Sequence, residues 1–539
     1  MVFFKSQNCA KKGNNSAKTV VKEFTIMETM EERNMKKLLV ILASLAMVCS
    51  MAACSSTPNN DDQNNVPETD AVVLDADLVV VGAGGSGMPA TLRATELGLK
   101  VVVLEKMSYM GGAMAMSMGN QVVTGSQMQK DLGVTDDSAQ SMIDDFMANG
   151  ANLNVPELIS LYAENVGAAS DWLSNYVQYN LEGGLHVLAE YSINRELQYV
   201  GGGAGGASNL RDAVNNSDAE VLLNTRATEL IVDENGAVVG VKATGEDKEY
   251  VINAKAVLLS TGGYGANKDI LPEVMQTALY YGPVSSTGDG LLMAQEVNAA
   301  TRLLEYGKRY PNGVEYAAGL AKSTLGGNIA AYNVSAILVN PEGVRVVNEK
   351  ASNRTVLEAE LEQTNDMMYL LMDAASFAAW CDGVASNGIT ADDINGWLEN
   401  NGSTTPIFAH ADTIEEVAAI VGMDGATLKA TVDTYNGYVD AGEDAEFGRS
   451  SDYMTAKIGD GPYYLVEQKA RFATTMGGLV VNTSLQVENT NGEVISGLYA
   501  SGEVVGGVMG DDSPSGANNG WAITSGKLAA ESIANALGK

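Results

Sequence analysis

The chain has 539 residues, 45% of them hydrophobic, which is enough for two or three domains with cores of their own. Its 33 basic residues face 67 acidic ones, a net charge of −34 that repels nucleic acid and excludes a broad basic docking surface. With four cysteines, two histidines (His186 and His410) and no C-x-x-C-H, neither a disulfide framework nor haem attachment nor a metal site is expected.

Residues 1–34 precede a complete export signal and are read as an upstream mis-start, with translation beginning at Met35. Residues 35–53 form a lipoprotein signal peptide: a basic start, an apolar run shorter than the about 20 residues a membrane span needs, then small residues. Met51-Ala-Ala-Cys54 resembles a bacterial lipobox, so Cys54 becomes the lipidated first residue and anchors an exported protein to the outer face of the cell membrane. Residues 54–75, rich in Asn and Asp, are a disordered tether. Cys9 and Cys49 are then lost from the mature chain, which leaves Cys381 as its one free thiol.

Residues 77–105 read as strand, glycine turn, helix, strand. Gly82, Gly84 and Gly87 make G-x-G-x-x-G straight after an apolar run, a turn that brings backbone close to a pyrophosphate and aims a helix N-terminus at it. Glu105 closes the second strand, where a carboxylate can accept from a ribose hydroxyl. The unit is expected to bind an adenine dinucleotide, and the motif alone leaves NAD and a flavin both open. Lys106 follows, and then Gly111, Gly112 and Ala113 offer a second close approach of backbone to the cofactor.

Residues 136–149 and 156–180 have helical spacing and read as plain core helices. The glycines at 201–206 either lie over a ligand or form a linker into a helix. Residues 221–259 read as a β-meander whose last strand ends at Thr261, Gly262 and Gly263, ready to meet the cofactor. Asp289 begins a helix over 291–299, as a polar contact or simply as its cap. Residues 304–461 form a capping domain, with a strand pair around 336–347 and two acidic helical stretches. The glycine-rich signature then returns at Thr474 to Gly478 and at Gly502-Glu503. A last loop at 511–520, carrying Ser513, Gly516, Asn518 and Asn519, precedes a small-residue helix over 522–536. Residues 76–303 and 462–539 thus make one dinucleotide-binding domain, closed by the far end of the chain.

Taken together, G-A-G-G-S-G, V-V-L-E-K, Gly111-Gly112, S-T-G-G-Y, T-G-D-G, T-M-G-G-L-V-V and G-L-Y-A-S-G-E-V-V-G-G resemble the flavoprotein family of soluble fumarate reductase, urocanate reductase and 3-ketosteroid dehydrogenase. The resemblance implies an α/β fold, a Rossmann-like FAD-binding domain with an inserted α+β capping domain. It implies FAD, with its adenosine ribose on Glu105, Gly112 and Ala113 nearby, and Asp289, Glu503, Asn518 and Asn519 among the polar contacts. It further implies hydride transfer from flavin N5 to a carbon–carbon double bond conjugated to a carbonyl or carboxylate, with a cap-domain acid protonating the neighbouring carbon.

In fumarate reductases that acid is an arginine just after G-x-R-[FV]-x-N-E. Gly343 to Glu349 keeps the motif, and Arg354 follows one residue later than the family spacing. An arginine can donate only in a dry, positively biased pocket, and the plainer alternative is a surface or interdomain ion pair. Ile329 and Tyr332 stand where the fumarate enzymes feed that arginine through a glutamate and a second arginine. The family's substrate histidines and arginine fall at Tyr310, Thr474 and Ser513, beside Gly516. A dicarboxylate would lose most of its clamp, since a hydroxyl cannot make the bidentate bonds of an arginine. Tyr310 and Tyr332 are the alternative proton donors, or else ordinary core aromatics.

The expected activity is therefore reduction of an activated alkene as a respiratory electron acceptor. Dehydrogenation of a bulky ketone such as a 3-ketosteroid, or a degenerate flavin-binding protein, are the alternatives. With no second nicotinamide-binding unit and no D-x-x-[ST]-G-[AS]-T flavinylation motif, electrons are expected from a separate flavin or haem carrier at the membrane.

Overall fold

The computed structural model describes residues 71–185 and 190–539. The signal peptide, Cys54, most of the tether and His186 lie outside the described residues.

The first sheet is built on Val72–Val81, whose end Leu78-Val79-Val80-Val81 is at most 5% exposed. A strand so apolar on both faces belongs inside a parallel sheet covered on both sides. Accordingly it pairs in parallel with Val101–Leu104 on one side and Glu249–Leu259 on the other. Glu220–Leu222 and Val494–Ala500 extend the sheet in parallel at the two flanks, so the last quarter of the chain does close it. The helices Gly87–Glu96, Pro156–Leu173 and Ala517–Ala536 belong to the same core.

The strand starts earlier than the tether expected over 54–75. Val72 to Asp75 pair with Tyr250 to Asn253, because the antiparallel ribbon of Arg226–Val232, Val238–Thr244 and Glu249–Leu259 projects beyond the sheet and offers a free edge. Glu220–Leu222 is correspondingly not a meander strand.

The second sheet is a mixed one. Tyr463–Thr475 is central to it, flanked by Gly307–Ala317 and Met367–Met372, with Leu320–Ser323, Leu279–Tyr280, Ile337–Val339 and Phe408–Ala411 around them. Alternation along Met367–Met372 explains why it is covered on both faces. Met368, Leu370 and Met372 enter one core with Trp380 and Phe408, while Met367, Tyr369 and Leu371 enter another with Val417 and Leu428.

This sheet crosses the expected boundary at 304–461. Leu465 and Val466 belong to the cap cores, but Ala470 and Phe472, on the same strand, belong to the main core. One strand therefore threads both layers, and the described residues form a single compact unit. The expected hairpin at 336–347 is also different: Ile337–Val339 pairs with Met367–Met372 instead. None of the described helices is long and apolar enough to cross a membrane.

The glycines at 201–206 are not a linker. Most lie inside the helix Gly202–Asn215, where a Cβ at Gly203 would come within 2.1 Å of the Met114 carbonyl and one at Gly206 within 2.6 Å of the Tyr199 ring. They are small because the helix packs tightly.

Candidate active site

The first glycine loop is fixed from behind. Gly82 has φ +98°, and a Cβ there would stand 2.5 Å from the Ser260 carbonyl oxygen; at Gly87 it would stand 1.8 Å from the Gly82 oxygen. Gly84 is different, because its nearest neighbour would be Gly112 Cα at 3.8 Å. No protein atom requires a glycine there, so the room it leaves suits a ligand, and Gly112, at φ +52°, forms the other wall. Glu105 is buried at the end of its strand and accepts from the backbone N–H of Ala83 and of Met107, both at 2.9 Å. It thereby ties the glycine loop to the second strand. Ala113 is exposed on the short helix Gly112–Met116.

Asp289 does not cap its helix; it is the first residue of Asp289–Glu296, and its carboxylate faces away to Lys106 at 2.9 Å and Arg226 at 2.8 Å. Burial alone would raise its pKa, but these two cations hold it below the usual carboxylate range. Lys106 also donates to Thr287 Oγ1 at 2.6 Å. Thr261 Oγ1 is buried and has no hydrogen-bond partner among the described residues, while Gly262 turns with φ +73°. An open cradle at Gly84 and an orphaned hydroxyl at Thr261 fit a dinucleotide laid across the ends of the parallel strands.

Further along, Ser501 Oγ lies 2.6 Å from Ser86 Oγ and 2.9 Å from Ser260 Oγ, joining two strand ends to the start of the helix Gly87–Glu96. Glu503 accepts from Thr475 N at 2.9 Å, and a Cβ at Gly263 would strike its Oε1 at 2.2 Å. Burial pushes its pKa up to about 7, with the Thr475 bonds opposing. Gly516, at φ +73°, starts the helix Ala517–Ala536, and Asn518 and Asn519 brace the loops there: Asn518 donates to Ser513 Oγ at 3.0 Å and Asn519 to the Asn120 carbonyl at 2.7 Å.

The substrate candidates meet through a bulge. Lys308 faces Thr474 and Tyr310 faces Arg471 across the antiparallel pair, with one extra residue, Ala473, between the two registers. That extra residue turns Thr474 to the face of Arg471, Tyr310 and Lys308. Lys308 Nζ then reaches Asp512 at 2.7 Å and bonds the Ser513 carbonyl, so the final loop is tied to the same place. Thr474, Tyr310 and Ser513 thus converge, as the motifs imply.

Two further members, Lys308 and Arg471, are not part of any motif. Both are at most 5% exposed, and both stack on the Tyr310 ring, at 4.9 Å and 4.7 Å from its centre. The available signal was a cation between two apolar neighbours, Ala470-Arg471-Phe472, which needs a reason to be buried. The Tyr310 hydroxyl has no hydrogen-bond partner among the described residues, and burial pushes its pKa up to about 12, with Lys308 and Arg471 pulling the other way.

Arg354 and Tyr332 do not join this group. The Arg354 side chain is 49% exposed and bonds Asp511 at 3.4 Å, which is the ion-pair alternative rather than a dry acid. Tyr332 is 7% exposed in a cap core, beneath Arg449. The G-x-R-x-x-N-E motif around it is structural. Arg345 bonds Glu349 and Asp444, each at 2.8 Å, and Arg449 bonds Glu349 at 3.1 Å, all of them buried.

The family described as FAD binding domain matches residues 77–519. The urocanate reductase of Eggerthella lenta is 31% identical over 508 residues, 91% of this chain and 80% of that one. The cytochrome-type fumarate reductase of Shewanella frigidimarina is 30% identical over 469 residues, 85% and 77% of the two chains. Among solved structures, the open conformation of a flavocytochrome c3 fumarate reductase superposes with a TM-score of 0.72 at 27% identity, covering 90% of this chain and 83% of that one. The strand-end cradle and the ordered motifs have one explanation: this chain belongs to the FAD binding domain family of flavoprotein oxidoreductases, and its cofactor is FAD.

Proposed function

We propose that the protein reduces a carbon–carbon double bond conjugated to a carbonyl or carboxylate, and that Tyr310 gives the proton. The observation that carries this is the convergence of Tyr310, Thr474, Ser513, Lys308 and Arg471 on one sheet face, on the strand whose next residue, Thr475, holds Glu503. Bound FAD supplies the hydride. Tyr310 keeps its proton at any working pH and, flanked by two cations, can release it to an enolate-like carbon as charge develops. Relatives named as urocanate and fumarate reductases support this direction of reaction.

The signal in residues 35–54 supports export and anchoring through Cys54, and with them respiratory use with electrons from a separate membrane carrier. Replacing Cys54 by Ser should move the protein from the membrane to the soluble fraction.

Anaerobic reoxidation of the dithionite-reduced holoenzyme by enoates, aryl acrylates, urocanate, fumarate and enones tests the activity. Tyr310→Phe should lower the reoxidation rate by about 100-fold or more, and Tyr332→Phe by less than about twofold. If no alkene reoxidises the flavin while a saturated ketone reduces the oxidised enzyme, the direction is reversed.

A further inference from the structure

Two cations, Lys308 and Arg354, reach the final glycine loop and are neutralised there, and a third, Arg471, lies beside Lys308 on the Tyr310 ring. Lys308 pairs with Asp512 at 2.7 Å, and Arg354 with Asp511 at 3.4 Å and Asp512 at 3.7 Å. Arg471 is 3% exposed and makes no ion pair with any described residue. Its Nε donates to the Asn312 carbonyl at 2.9 Å and to Asn312 Oδ1 at 3.0 Å, and its Nη2 reaches the same Oδ1. The rings of Tyr281 and Tyr310 lie 4.4 Å and 4.7 Å from the guanidinium carbon.

Asn312 occupies one edge of the guanidinium and the tyrosines lie against it. The edge made by Nη1 and Nη2 is left, and it is a two-pronged donor matched to the two oxygens of a carboxylate. The nearby acid does not fill it. Glu360, on the helix Asn353–Leu361, is fully buried, and neither of its carboxyl oxygens has a hydrogen-bond partner among the described residues. Burial and the nearby Asp366 push the Glu360 pKa upward, with Arg471 pulling the other way. A guanidinium cannot shed its proton, so a buried one with a vacant fork calls for an anion.

We propose that Arg471 binds the single carboxylate of the substrate, so that the alkene taken is a mono-anionic enoate; this rests on the alkene-reductase reading. Around Tyr310, Lys308 is taken up by Asp512 while Arg471 has no acidic partner among the described residues, so one cation there is left for one anionic group. Tyr310, directly opposite Arg471 in the sheet, then stands beside the bound acid as its proton source.

The test is calorimetric titration of the oxidised, FAD-loaded full chain with crotonate and cinnamate, each beside its own amide. The acids should bind about 10- to 100-fold more tightly than the amides. Arg471→Gln should collapse that ratio to near one, and Arg471→Lys, which keeps the charge without the fork, should retain part of it. Fumarate should gain less than about threefold over monomethyl fumarate. Equal binding of acids and amides by the wild-type protein, a preference that survives in both variants, or a large gain for fumarate each overturns the proposal. Should the Gln variant fail to fold, the Lys variant and the wild-type ratios still decide.

Reoxidation of the reduced holoenzyme by the same compounds separates the two claims. Amides reduced as fast as acids leave the reductase and remove Arg471's role. A carboxylate preference in binding without any reoxidation does the reverse.

Discussion

Gly87 and Gly84 belong to one motif but answer to different constraints. A methyl group at Gly87 would overlap the Gly82 carbonyl oxygen at 1.8 Å, so Gly87→Ala should destabilise the apoprotein by about 1–3 kcal/mol or more, read as a fall in its melting temperature. At Gly84 the nearest atom would be 3.8 Å away, so Gly84→Ala should leave the apoprotein's melting temperature within about 2 °C while flavin content on purification falls. A melting loss as large as that of Gly87→Ala would mean that Gly84 is structural. The motif was legible in sequence because its glycines answer to local geometry. Arg354 was less so: a spacing placed it near the site, but whether an arginine is dry depends on what covers it, and its side chain is half in solvent beside Asp511. Arg471 stayed hidden for the converse reason. Its importance comes from Tyr281, Tyr310 and Asn312, which are 159 to 190 residues earlier in the chain and meet it only through strand pairing and loop packing.

At the scale of elements, the parallel strands were readable from runs of valine, whereas the cap sheet was not. Its central strand serves two cores, and a one-residue bulge at Ala473 decides which side chains share a face. The same dependence on pairing brings Glu196 under the final loop. This residue begins the short strand Glu196–Gln198, has no exposed surface, and accepts from Ser515 Oγ at 2.9 Å. Its second oxygen and Asn120 Oδ1 are both buried without a partner among the described residues. Burial raises its pKa from 4.5 to about 7, with Glu190 adding to the shift and the Ser515 and Asn120 contacts opposing it. A carboxyl whose folded pKa is raised binds its proton more tightly in the native state. Its contribution is therefore complete below about pH 4.5 and is lost as pH rises through about 7. Glu196→Gln keeps the shape without the titration. Between pH 5 and 8 the variant should gain stability relative to wild type, approaching roughly 3 kcal/mol at the upper end. Parallel pH curves for the two proteins in denaturant melts would show that Glu196 is not the titrating group.

Across the whole molecule, architecture followed from the order of motifs, because a sheet opened at Val72–Val81 and closed at Val494–Ala500 leaves the intervening cap only one place to be inserted. Charge is a property of the same scale, and it reaches farther than any contact. With 67 acidic against 33 basic residues, the surface attracts cations and repels anions over a Debye length, about 30 Å at 0.01 M salt and about 3 Å at 1 M. Electrons must cross that field to reach a flavin at the sheet ends. A cationic viologen should therefore reduce the oxidised holoenzyme at least about tenfold faster than an anionic mediator of similar potential at 0.01 M salt. The difference should shrink to within about twofold at 1 M, measured by stopped-flow bleaching of the flavin. A preference for the anionic mediator at low salt would instead mean that local basic side chains, such as the Lys106 and Arg226 pair around Asp289, set the field at the entry point rather than net charge. If a separate protein carries the electrons, as proposed, it would then present an acidic face. The net charge of −34 favours a basic one.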